Sequence, residues 1–248
     1  MKIGIIGGSG LEDSKILKDC NKFKVDTSYG SPSSLLTTGK IRGIETVVLS
    51  RHGIKHEISP TQVNYRANIH ALKQYGCNYV ISTTAVGSLR EEIKRGDFVI
   101  LDQFIDFTRR RHLTFHDNFD EGPVHVSMAQ PFSESIRERL IQACDSLKFN
   151  YHKSGTVITI EGPRFSTLAE SKMFRQWGAE VINMSIATEA TLAREAGIEY
   201  ASIAMSTDYD CWKTEESPVT WEQVGKIMKD NSDRVTQVLK KTIESFST

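Results

Sequence analysis

Short apolar runs that break off into clusters of hydrogen-bonding residues recur along the whole chain. The clearest is Ala201 to Met205, a run of small, β-branched and apolar residues that reads as a strand buried on both faces and is followed by Thr207-Asp208-Tyr209-Asp210. Lys2 to Ile6 breaks into Gly7-Gly8-Ser9-Gly10, and Glu45 to Ser50 ends at Arg51-His52-Gly53 with His56 following. Tyr79 to Ser82 runs into Thr83-Thr84-Ala85-Val86-Gly87-Ser88, and Phe98 to Leu101 opens a polar and aromatic excursion from Asp102 to Phe119. Thr156 to Ile160 ends at Glu161-Gly162-Pro163-Arg164-Phe165-Ser166, and Val181 to Asn183 leads into Met184-Ser185. Helical spacing fills the intervals: Thr61 to Tyr75 with Gly76 as its stop, a helix capped by Ser133 and running to about Leu147, and an Ala-rich segment to Ala196 stopped by Gly197. Thr167-x-x-Glu170 and Thr220-x-x-Gln223 are capping boxes, the second opening a closing helix. Strands alternating with helices predict a largely parallel, three-layer α/β sheet, with ligands in the crevice beyond the carboxyl ends of its strands.

A chain of 248 residues with nothing that reads as a linker is expected to form a single domain spanning 1–248. Lysine plus arginine and aspartate plus glutamate number 31 each, so no long-range field draws the molecule to nucleic acid or to a membrane. The run Arg109-Arg110-Arg111-His112 is expected to pair with acids or to lie at an oligomer contact. Cys20, Cys77, Cys144 and Cys211 lie far apart with no C-x-x-C pair, which predicts reduced thiols and a cytoplasmic protein. No apolar stretch approaches the roughly 20 residues that span a bilayer.

The strand ends carry the candidate chemistry. The glycine-rich turn after the first strand can bring backbone N–H groups close to a phosphate. A dinucleotide fingerprint starting at Gly8 nevertheless fails at its last position, which is Asp13. Ser9 is then either a hydroxyl donor to an anion or part of a tight turn. Arg51 offers a planar fork of donors and His52 one more. Phe165 either stacks on a planar ligand or fills core. Asp208 and Asp210 either face a ligand or make local turn hydrogen bonds.

Taken together, these segments, with Val63-Asn64-Tyr65-Arg66-Ala67-Asn68-Ile69, Gly87-Ser88-Leu89 and Asp102-Gln103-Phe104-Ile105-Asp106, resemble the 5'-methylthioadenosine phosphorylases, the adenine-using branch of the trimeric purine nucleoside phosphorylase family. The resemblance covers almost the whole chain. It implies the phosphorylase/hydrolase-like fold, with a mixed, distorted central sheet flanked by helices, and a homotrimer with sites near subunit interfaces. It implies no metal and no organic cofactor, inorganic phosphate being a co-substrate.

Carried over by position, the resemblance implies a phosphate pocket of Ser9, Arg51, His52, Thr84, the backbone N–H of Ala85, and Ser185. Met184 would lie against the ribose. Phe165, Ser166, Asp208 and Asp210, with Tyr209 between the carboxylates, would form the purine pocket, and His125 of a neighbouring subunit would help enclose the methylthio group. Asp208 would hold a proton at N7 of the leaving purine or, ionised, accept from the exocyclic amine. Relatives acting on 6-oxopurines have Asn at the position of Asp208 and Glu at that of Ser166, so both residues imply a 6-aminopurine. Two positions depart from the family pattern: Ile186-Ala187-Thr188-Glu189 lacks the proline that usually precedes the glutamate, and Trp221 replaces a smaller apolar residue beside the 5' pocket. The rival readings are a phosphorylase of methylthioinosine or of ordinary purine nucleosides, a non-catalytic nucleoside-binding protein and, less compatible with Asp13, an NAD-dependent dehydrogenase.

Overall fold

A computed structural model describes residues 1–8, 16–120, 122–216 and 219–247. Among the described residues eleven strands join in one sheet: β1 (Lys2–Gly7), β2 (Lys18–Phe23), β3 (Leu36–Ile41), β4 (Ile44–Ser50), β5 (Tyr79–Ser88), β6 (Phe98–Ile100), β7 (Gln103–Phe107), β8 (Tyr151–His152), β9 (Thr156–Ile160), β10 (Val181–Asn183) and β11 (Glu199–Asp208). The helices are α1 (Tyr65–Tyr75), α2 (Glu134–Leu147), α3 (Leu168–Gln176), α4 (Ile186–Glu195) and α5 (Trp221–Glu244). The strand order is β2-β3-β4-β1-β5-β10-β9-β7, with β11, β6 and β8 branching from β5.

The sheet is mixed. β1 runs parallel to β4 and β5, and β11 parallel to β5, whereas β10 meets β5, and β6 meets β11, antiparallel. Six of the ten pairings among the described strands are parallel, as strand–helix alternation predicts, and the four antiparallel ones make the sheet mixed, as the family resemblance implies. One reason is that β2 and β3, KDCNKF and LTTGKI, carry little apolar signal and pair antiparallel at the edge. Polar, charged strands suit an edge, where they discourage pairing with other chains.

Helices α2 and α5 pack together on one face, burying Ile136, Leu140, Val238 and Leu239 against Ile81, Ala201 and Ile203. Helices α1 and α4 cover the other, with Ile69, Leu72, Ile186 and Ala190 around Val80 and Ala204. Both predicted capping boxes form, at Thr167/Glu170 and Thr220/Gln223. α1 starts at Tyr65, not Thr61, because the Asn64 side chain accepts from the Ala67 N–H and fixes the N-cap there. Ser133 occupies its cap position without a side-chain cap bond; its hydroxyl lies 3.3 Å from that of Ser135. The excursion from Asp102 contains β7, and β5 continues six residues past its predicted end to Ser88. All four thiols are unpaired. Among the described residues no helix is long and apolar enough to cross a membrane.

Candidate active site

β5 changes neighbours partway along one edge. β1 pairs with it as far as Ser82, and β10 joins only at Gly87, while β11 runs along the other edge. Thr83 to Val86 therefore lack a strand partner on the first edge among the described residues. At this gap a cleft opens, enclosing about 760 Å³ including its mouth. It brings together Arg51, His52, Thr84, Ala85, Phe165, Ser166, Met184, Ser185, Asp208, Asp210 and Trp221, all anticipated from the strand ends or the resemblance.

At one end stand groups suited to an anion. Arg51, 1 % exposed, donates from Nη2 to Glu189 at 2.9 Å and to Ser82 at 2.7 Å, and from Nη1 to the Thr83 carbonyl at 2.9 Å; its Nε also reaches Glu189. Most of its fork is thus spent on the protein, so it offers the cleft positive charge more than free donors. Burial works against that charge, but the Glu189 carboxylate outweighs it and holds the guanidinium pKa above its ordinary value. Glu189 also accepts from Tyr200 at 2.8 Å. Helix α4 forms around this glutamate without the family's proline.

His52 Nδ1 lies 2.9 Å from the Ile58 carbonyl, which can only accept, so this nitrogen carries the proton. Thr84 Oγ1 donates to the Ala85 carbonyl at 3.1 Å and accepts from Asn183 Nδ2 at 3.3 Å. Asn183 is locked in turn by the Thr159 hydroxyl at 2.8 Å. Ser185 is the N-cap residue of α4 with no side-chain cap bond, placing its hydroxyl where the helix dipole favours negative charge. Gly8 closes this end: its N–H donates to Thr83 Oγ1 at 3.2 Å, and a Cβ there would come within 2.6 Å of the Thr83 carbonyl and 2.7 Å of Arg51. Close approach is the visible role of this part of the glycine-rich turn.

At the other end are the two carboxyls, each 8 % exposed. Burial pushes Asp208 up to about 6, against hydrogen bonds from the Thr207 hydroxyl at 2.8 Å and the Asp210 N–H at 2.8 Å. Burial raises Asp210 as well, with the hydroxyls of Ser171 and Ser166 working the other way. Asp210 takes a left-handed backbone, φ 49°, which turns its N–H back to Asp208 Oδ1. Asp208 can lie flat on β5 because residue 87 has no side chain: a Cβ at Gly87 would be 2.9 Å from Asp208 Oδ1 and 3.0 Å from Ile182. Gly87→Ala is accordingly expected to lower activity at least tenfold by displacing the carboxyl, with the far-ultraviolet circular dichroism unchanged.

A third wall is aromatic. The rings of His52 and His56 stack at 4.5 Å, and His56 meets Trp221, half exposed at the start of α5, at 4.8 Å. Phe165 is 40 % exposed on the cleft and does not fill core.

Three anticipated residues are not among those described as lining the cleft. Ser9 lies outside the described residues. Tyr209 does not reach the cleft: β11 ends at Asp208, and past it the backbone sends the Tyr209 ring against Arg95 and Lys213, while the left-handed turn at Asp210 brings that carboxyl back to the cleft. His125 is exposed beside Phe119, away from this chain's own cleft. Asn183, Thr207 and His56 were visible in sequence only as neighbours of stronger signals, and Pro60 and Val224 carried none. The expected pairing of the arginine run with acids is met by Arg111, which donates to Glu161 at 2.7 Å.

A mixed sheet with a seam, donors on one side of a cleft and buried carboxyls on the other, defines a nucleoside-phosphorylase type of protein. The phosphorylase superfamily model matches residues 2–244, and the chain belongs to that family. Among its relatives, the S-methyl-5'-thioadenosine phosphorylase of Xenopus tropicalis is 54% identical over 96% of this chain and 86% of its own length. That of Thermofilum pendens is 50% identical over 99% of this chain and 92% of its own. The methylthioadenosine phosphorylase of Schistosoma mansoni, solved in complex with adenine, superposes with a TM-score of 0.95 at 39% identity, covering 100% of this chain and 92% of the other.

Proposed function

We propose that the protein is an S-methyl-5'-thioadenosine phosphorylase, a pentosyltransferase that converts methylthioadenosine and inorganic phosphate into adenine and 5-methylthioribose 1-phosphate. The observation that carries this reading is Asp208, a carboxyl buried in an apolar cleft with its pKa near 6, facing the same cavity as Arg51, His52, Thr84 and Ser185. As the C1'–N9 bond stretches, negative charge grows on the purine and positive charge on the sugar. Protonated Asp208 delivers its proton to N7, and phosphate held at the α4 N-terminus stabilises the sugar and forms the new C1'–O bond. Asp208 regains its proton from solvent. A bound base that displaces the remaining water raises its pKa further.

In this reading Ser9, Arg51, His52, Thr84, Ala85 and Ser185 hold phosphate, Met184 faces the ribose, and Phe165 and Asp210 hold the base. Ser166 and Asp208 select a 6-aminopurine, and Trp221 with His56 shapes the 5' pocket. The reading extends to a single-domain cytoplasmic homotrimer, with a neighbour's His125 closing each site, and to a reaction that needs no cofactor beyond its phosphate co-substrate.

Chromatographic assay of base release from methylthioadenosine, methylthioinosine, adenosine and inosine, with and without phosphate, tests it. Phosphate-dependent release of adenine from methylthioadenosine is expected to exceed release from either 6-oxopurine nucleoside. Preference for inosine-type substrates would make the protein a general purine nucleoside phosphorylase, and binding without release would make it a nucleoside-binding protein.

A further inference from the structure

Tyr209 stands between the two carboxyls in sequence yet contributes nothing to the cleft wall. Its ring is instead gripped from behind. Lys213 Nζ lies 4.1 Å from the ring centroid and the Arg95 guanidinium carbon 5.3 Å, while Trp212 meets the ring edge-on at 6.1 Å and 89°. Cations held over a phenol face attract it through the ring quadrupole, and more strongly where water is excluded. Tyr209 as a whole is 9 % exposed.

Both cations are themselves tethered. Glu216 pairs with Arg95, and with Lys213 at 3.5 Å, and Glu91 accepts from Lys213 at 2.7 Å. The segment carrying Arg95 is fastened to β11: the Gly96 N–H donates to the Ser206 carbonyl at 2.7 Å, and the Ser206 N–H to the Asp97 carbonyl at 3.0 Å. Trp212 donates to the Ser88 carbonyl at 2.8 Å and lies under Arg175 at 3.6 Å. The ring is therefore anchored to fixed structure, and the left-handed turn at Asp210 starts from that anchor. The Tyr209 hydroxyl makes no hydrogen bond among the described residues, so the grip is on the ring face.

We propose that Tyr209 is a positioning residue, and that the clamp Arg95 and Lys213 make on its ring holds the β11 exit so that Asp208 and Asp210 both face the cleft. This rests on the reading of Asp208 as the group that protonates the purine. The clamp acts on orientation: with the ring released, the exit rotates, and the short Asp210 N–H to Asp208 contact that fixes the acid is lost. Misplacement of a reacting group by about 1 Å costs on the order of a hundredfold in rate.

The test compares Tyr209→Phe, Tyr209→Leu and the double variant Arg95→Met/Lys213→Met by steady-state kinetics with methylthioadenosine and by calorimetric titration with adenine. Tyr209→Phe keeps the ring face and is expected within about threefold of the parent, while Tyr209→Leu loses about a hundredfold in kcat with KM within about threefold. The double variant keeps Tyr209 but frees it and is expected to lose at least tenfold in kcat, still binding adenine. Adding Tyr209→Leu to it should lower kcat by much less than Tyr209→Leu does alone. Parental kcat in either Tyr209→Leu or the double variant overturns the clamp, as does a Tyr209→Phe variant as impaired as Tyr209→Leu. Absence of methylthioadenosine turnover by the parent protein overturns the functional reading itself and is seen before any variant is compared.

Discussion

Asp208→Asn is expected to lose 10²- to 10⁴-fold in turnover of methylthioadenosine while making the protein more stable. The two effects have one origin. A carboxyl pushed up to about 6 is a carboxyl that the fold prefers protonated. Between the ordinary aspartate value and about pH 6, the folded protein keeps a proton that the unfolded chain releases, so this residue's contribution to stability is full below that window. It declines as pH rises through the window, and above about pH 6 the buried charge is carried at full expense. The shift corresponds to roughly 3 kcal/mol at neutral pH, at about 1.36 kcal/mol per pKa unit. Asparagine has the same shape and no charge to bury. Denaturant unfolding at pH 4 and pH 7.5 should therefore show parent and variant close together at the lower value and the variant ahead at the higher one. Parental activity in Asp208→Asn would remove its assigned role, and Asp210→Ala is expected to be the milder of the two lesions. For the parent, the same requirement for a protonated acid makes kcat/KM fall as pH rises above about 6.

The second large effect falls on Glu189, which touches no substrate in the proposed arrangement. Glu189→Ala leaves the Arg51 guanidinium buried without its partner, and removal of one member of such a pair is expected to destabilise by about 3–5 kcal/mol. The remaining acceptors, the Ser82 hydroxyl and the Thr83 carbonyl, do not neutralise the charge. The freed fork then turns toward the cleft, the nearest place where an anion can meet it. Phosphate is accordingly expected to raise the melting temperature of Glu189→Ala more than that of the parent, when both are measured across a phosphate series. An equal shift in the two proteins would show that the Arg51 fork gains no new contact with phosphate when its glutamate is removed.

Much of this site was legible because strand ends announce themselves. Arg51-His52, Thr84-Ala85, Phe165-Ser166, Met184-Ser185 and Asp208 through Asp210 each follow an apolar run, and the fold gathers these ends at one cleft. Tyr209 was not legible because it lies just past the end of β11, where the left-handed turn at Asp210, with no glycine to announce it, decides which way the side chains point. Glu189 stood in the sequence as a departure from a family pattern, with nothing to show that it lies beneath Arg51, 138 residues earlier in the chain. Long-range partners of this kind depend on strand order. The order escaped prediction because β2 and β3 are polar and β10 pairs antiparallel across a short overlap. Helix ends fared better where a side chain caps its own backbone, as at Thr167 and Thr220, since that chemistry is local.

The seam in β5 shapes the cleft. A sheet normally completes its hydrogen bonding with neighbouring strands, but from Thr83 to Val86 one edge has no strand partner among the described residues, and side chains do part of that work: Arg51 donates to the Thr83 carbonyl, the Thr84 hydroxyl to that of Ala85 and the Thr207 hydroxyl to that of Val86. The gap that these side chains border exists because β1 stops pairing at Ser82 and β10 starts only at Gly87, so its width is set by the paths of two strands, whatever side chains they carry.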